Sequence, residues 1–77
     1  MEKKKKYLKM NRIKDEIQAQ GRQQKWVAEQ LGVTQKTLSF WCANKTQPDL
    51  GNLFELSKIL GVEPSNLLGN GKEVENH

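Results

Sequence analysis

The hinge Gly32-Val33-Thr34 constrains this chain more than any other feature, because a short amphipathic run lies on each side of it. At roughly 100° per residue, Val27, Ala28 and Leu31 fall on one side of the run before the hinge. After it, Leu38, Trp41 and Cys42 form a second apolar arc, while Gln35, Lys36, Ser39 and Phe40 occupy the opposite one. Gly32 supplies the left-handed residue that ends the first run as a helix. Thr34 is placed to cap the second, and Ala28 is small enough to let the two helices approach closely. The pattern predicts two short helices, the second packing by one face and offering an amide, an ammonium, a hydroxyl and a ring outward.

The rest of the chain extends this arrangement. Residues 11–20 read as a helix with Ile13 and Ile17 facing inward one turn apart, ended by Gly21. Gln23 is a poor N-cap, so the start of the next helix near Gln23-Gln24 is weakly marked. Asn44 tolerates a left-handed turn at the end of the helix 35–43. Asp49 can cap a fourth helix reaching Leu60, with Leu50, Leu53, Leu56 and Leu60 inward and Gly51 weakening its first turn. Glu63-Pro64 opens a last short helix, with Leu67 and Leu68 closing the core. Around this domain, 11–68, lie a basic flexible arm, 1–10, and a flexible polar tail, 69–77.

The series Gln24, Val27-Ala28-Glu29, Leu31-Gly32-Val33-Thr34, Thr37-Leu38-Ser39, Trp41, Asn44-Lys45, Pro48-Asp49-Leu50, Leu53 and Leu60-Gly61-Val62 stands in one continuous register. Taken together it resembles the Cro/repressor-type (XRE-like) helix-turn-helix family of DNA-binding proteins. The resemblance implies a compact all-α, five-helix domain whose helix 35–43 enters the major groove of double-stranded DNA. Gln35 and Lys36 then occupy the main base-reading positions. Gln can bond an adenine edge through two atoms and Lys can donate to guanine O6 and N7. Ser39 reaches a base or a phosphate. Phe40 departs from the family pattern, and two readings of it stand open: contact with a thymine methyl, or folding against its own domain. Gln24, Thr34, Thr37, Asn44, Lys45 and Thr46 match positions that hold the DNA backbone. Family members often pair as two-fold dimers on palindromic operators, here through Ile59, Val62 and Leu68. The implied role is a sequence-specific transcriptional regulator, a repressor, in a prokaryote or phage.

Charge agrees with a polyanionic partner. The chain of 77 residues has a net charge of +4, and that charge is uneven. Residues 1–22 carry eight Lys/Arg against three Asp/Glu, whereas residues 49–77 carry two against five. The basic half and the candidate reading helix therefore coincide. The arm itself has two readings, one lying along DNA phosphates and one merely solvated.

Other classes find little support. Seventy-seven residues make one domain at most, with no separate small-molecule ligand domain. No apolar run spans a membrane, and no h-region follows the lysine-rich start. One Cys and one His make neither an internal disulfide nor a zinc site, and the only His is the terminal His77. No Gly-rich phosphate loop is present. A cytoplasmic, non-enzymatic protein without cofactor or metal is expected. The rival reading is a protein-interaction module on a helix-turn-helix scaffold, with Phe40, Trp26 and Ile59 on its surface. Trp26 lies off the core stripe, so it either packs at the edge of a neighbouring helix or marks such a contact.

Overall fold

Ile13 and Ile17 are both fully or almost fully buried, and they anchor the first of four α-helices among the described residues. These are α1 (Ile13–Ala19), α2 (Gln24–Leu31), α3 (Gln35–Cys42) and α4 (Leu50–Leu60). The computed structural model describes residues 6–71 and 73–75. The lysine run 3–5 of the expected arm and His77 lie outside the described residues.

Each helix buries most of the face its periodicity predicts. Val27 and Ala28 of α2 meet Leu38, Trp41 and Cys42 of α3, with Leu53, Leu56 and Leu60 of α4 completing the core. Helix ends follow local chemistry. The Thr34 hydroxyl accepts from the Thr37 amide at 3.1 Å, and the Asp49 carboxylate accepts from the Asn52 amide at 2.8 Å. Such caps satisfy amides that the first helical turn leaves unpaired. Gly32 closes α2 at φ 81, a left-handed conformation that any Cβ would strain. Gln23 precedes α2 with no side-chain cap, as its poor capping chemistry anticipates. At the far end, the Gln20 side chain donates to the Leu60 carbonyl at 2.8 Å, tying α1 to the end of α4.

Three expectations change. The fifth helix is a single 3-10 turn, Pro64–Leu67. Pro64 starts it, but the Leu68 backbone turns extended and bridges Asn11, so the turn cannot propagate. Leu67 is fully buried, while Leu68 is 54% exposed and does not close the core. Leu50 is also outward, 71% exposed at the first position of α4.

The arm and tail meet. Strand β1 (Lys6–Leu8) pairs antiparallel with β2 (Glu73–Glu75), Tyr7 aligned with Val74. The approach is prepared by Gly69 and Gly71, whose amides donate to the Met10 and Lys9 carbonyls at 2.8 and 2.9 Å. A Cβ at Gly69 would overlap the Lys9 carbonyl, so only glycine lets the backbones come this close. The helical class therefore stands, with a two-stranded ribbon added where its ends meet.

Candidate nucleic-acid interface

The outward arc of α3 carries Gln35, Lys36, Ser39 and Phe40, and all four are exposed. Their opposite neighbours Leu38, Trp41 and Cys42 are buried, which fixes the rotation of the helix and so the direction of that arc. Phe40 does not fold into the core. The residue is 37% exposed, and two ammonium groups approach its ring, Lys36 Nζ at 5.8 Å and Lys45 Nζ at 5.4 Å from the centroid. Cations near an aromatic face are held by the ring quadrupole. The helix and the loop after it thus share one cationic, aromatic surface.

The hinge delivers this surface. The Thr34 hydroxyl, besides accepting from the Thr37 amide, donates to Thr37 Oγ1 at 3.0 Å. Thr37 is an acceptor in that bond, so its own hydroxyl hydrogen is left to point elsewhere. Thr34 is exposed, and Thr37 and Gln24 are half-buried. The residues expected to contact the DNA backbone are thus all at least partly exposed, with one exception.

Asn44 is that exception. It takes the left-handed turn its residue type permits, at φ 59. Its side chain, however, is turned inward and only 9% exposed. The amide oxygen accepts from the Met10 and Asn11 amides at 3.0 and 2.9 Å and from Gln47 Nε2 at 3.1 Å. The amide nitrogen donates to the Asn11 carbonyl at 3.2 Å. A side-chain phosphate contact at Asn44 gives way to this internal role, because every polar atom of the amide is engaged. Lys45 and Thr46, the next two residues, are both exposed. Their backbone amides donate to the Phe40 carbonyl at 2.9 and 3.4 Å, which folds the loop back onto the end of α3.

Two residues outside the expected set complete the picture. Asn11 is 3% exposed and bonds Trp41, Gln47 and Asn44. Its one local signal is an Asn two positions before Ile13, whose amide it accepts at 3.0 Å. Gln47 faces Asn11 across the loop and had no distinguishing signal. Trp26 is half-buried against the core, with the Arg22 guanidinium 4.4 Å from its ring centroid. It belongs to the domain's own packing. Burial pushes the Cys42 thiol up to about 11, which keeps it protonated and unreactive at neutral pH. Among the described residues, no acidic, His or Cys cluster could hold a metal ion. No helix among them is long and apolar enough to cross a membrane.

Two helices joined at a left-handed glycine, with the second presenting a polar and cationic arc, define a helix-turn-helix domain. The helix-turn-helix family model matches residues 13–67, and the chain belongs to this family, of the Cro/repressor type. It is similar to an inferred DNA-binding protein from Bacteroides fragilis, 41% identical, with a TM-score of 0.74. That likeness covers 75% of this chain and 94% of the other. A transcriptional regulator from Listeria innocua is 22% identical with a TM-score of 0.65, covering 88% of this chain and 67% of that one. At that identity the second likeness is one of fold. No curated protein matches the chain.

Proposed function

We propose that this protein is a sequence-specific double-stranded DNA-binding transcriptional regulator, acting as a repressor. The observation that carries the proposal is the exposed arc of α3, where Gln35, Lys36, Ser39 and Phe40 face outward beside Lys45. An α-helix fits the major groove, and these side chains supply the groups that distinguish base edges there. Gln35 would take an adenine edge, Lys36 a guanine, Ser39 a base or phosphate, and Phe40 a thymine methyl. Gln24, Thr34, Thr37, Lys45 and Thr46 would hold sugar and phosphate, setting register without reading sequence. The family membership and the name of the Bacteroides fragilis protein support the same reading.

Pairing as a two-fold dimer on a palindromic operator is part of the proposal. Of the three residues first assigned to that contact, Ile59 and Val62 are half-buried and Leu68 is exposed. Leu68 borders a mostly apolar groove of about 180 Å3 with Met10, Asn11, Gln47, Pro48, Leu50 and Leu53, a better surface for a second copy. Sedimentation that shows only monomer, with and without DNA, would remove this part.

The test of the whole is selection from a randomised duplex library, with the enriched duplexes re-measured at two salt concentrations. An enriched motif whose binding weakens steeply with salt is expected, since each neutralised phosphate contributes a slope of roughly −0.9. No binding at low salt would instead favour a protein-interaction module.

A further inference from the structure

Three side-chain amides close a ring beneath the loop that follows α3. Asn11 Nδ2 donates to Gln47 Oε1 at 2.7 Å, and Gln47 Nε2 donates to Asn44 Oδ1 at 3.1 Å. Asn44 in turn bonds both backbone groups of Asn11, accepting from its N–H and donating to its carbonyl. Asn11 Nδ2 also reaches the Trp41 carbonyl near the end of α3 at 2.9 Å. Among the described residues, no buried side-chain polar atom lacks a partner. Such networks favour one geometry, because displacing the buried Asn11 or Asn44 amide leaves it unpaired in a poorly hydrated place.

The ring encloses a particular pair of residues. Lys45 and Thr46 are the only residues between Asn44 and Gln47 in sequence, and both are exposed. Both ends of this two-residue tip are therefore fixed to the same residue, Asn11. The amides of Lys45 and Thr46 themselves are also held from α3, through the Phe40 carbonyl. A flexible lysine gains little from meeting a phosphate, because ordering its backbone and side chain opposes the contact. A tip already ordered in the free protein avoids the backbone part of that cost.

We propose that Asn11 and Gln47, which need touch no DNA themselves, are positioning residues that pre-order Lys45 and Thr46 for the phosphate backbone. This rests on the DNA-binding reading above. Gln47 is the informative member, because removing it costs Asn11 Nδ2 one of its two hydrogen bonds and Asn44 Oδ1 one of its three, while both keep other protein partners. Asn11 Nδ2 keeps the Trp41 carbonyl, and Asn44 Oδ1 keeps the Met10 and Asn11 amides. Gln47 is itself exposed, so Gln47→Ala frees one end of the tip while the core stays packed.

The test measures binding of wild type, Gln47→Ala, Lys45→Ala and the double variant to a selected duplex and to an unrelated one, over a range of salt. Gln47→Ala is expected to weaken binding to both duplexes several-fold, with the preference between them unchanged. Its salt slope should be shallower by up to that of one phosphate, roughly 0.9. In the Lys45→Ala background the same substitution should have little further effect, since residues acting through one contact are not additive. A purely structural role would lower the melting temperature and leave the slope alone. Wild-type affinity and slope in Gln47→Ala would overturn the inference, as would an undiminished effect in the Lys45→Ala background. Failure of the wild type to bind any duplex at low salt would sink the DNA-binding reading first, and this inference with it.

Discussion

Lys45 holds its ammonium 5.4 Å from the centroid of the Phe40 ring, so a loop residue and a residue of α3 meet over one aromatic face. The ring is thereby kept on the outward arc, and its exposed part is free to meet an apolar group. In the major groove the only such group is the methyl of thymine. Replacing thymine by deoxyuridine, one position at a time in a selected site, should weaken wild-type binding at a single position. In Phe40→Ala that sensitivity should vanish. Sensitivity that survives the substitution would assign the methyl to another residue.

Gln35 and Lys45 should fail in different ways. Gln35→Ala is expected to relax base preference at one position, costing about 1–3 kcal/mol of discrimination. Lys45→Ala should weaken all duplexes about equally and flatten the salt dependence. Competition binding against single-base variants separates the two. A Gln35→Ala protein with full preference, or a selective loss in Lys45→Ala, would contradict the assigned roles.

Gly51 offers a stability prediction independent of DNA. It lies in the first turn of α4, and an added Cβ would meet only Asp49 Oδ1, at an ordinary 3.6 Å. Gly51→Ala should therefore stabilise the domain by about 0.4–1 kcal/mol, through helix propensity and a less flexible unfolded chain. Thermal unfolding measures this; a lower melting temperature would show that α4 needs the glycine for another reason.

Asp15 links stability to pH. A hydrogen bond from the Lys9 ammonium at 3.0 Å, with Arg12 Nε at 3.6 Å, holds its carboxyl below the ordinary value of 3.8. A depressed folded value means that the contribution is complete above the unfolded value and fades as pH falls through the folded one. The pair is part-exposed, so Asp15→Asn should cost less than about 1 kcal/mol at neutral pH. Denaturant unfolding should show that difference closing below pH 3.8. A difference that persists in strong acid would contradict the assignment.

Much of the fold was legible because its determinants are local. Period alone placed Ile13 with Ile17, Val27 with Ala28, and Leu38 with Trp41 and Cys42. Residue type alone anticipated the caps at Thr34 and Asp49 and the left-handed turns at Gly21, Gly32 and Asn44. The misses are long-range. Leu50 fits the stripe of α4 but sits at its first position, beyond the reach of the core. Leu68 matches Leu67 in type, yet its backbone is drawn into the bridge to Asn11. The inward turn of Asn44 depends on Asn11, far away in sequence, and no local pattern reports such a partner. The ribbon likewise depends on Gly69 meeting Lys9, a contact visible only once the core has brought the chain ends together.

The most direct measurement is a titration of isotope-labelled protein with a selected duplex, followed through backbone and side-chain amide NMR shifts. The largest shifts should fall on Gln35, Lys36, Ser39 and Phe40, with Gln24, Lys45 and Thr46 at the border and the core unmoved. Shifts centred instead on Leu50, Phe54 and Leu68, with the α3 arc silent, would contradict the proposed DNA interface.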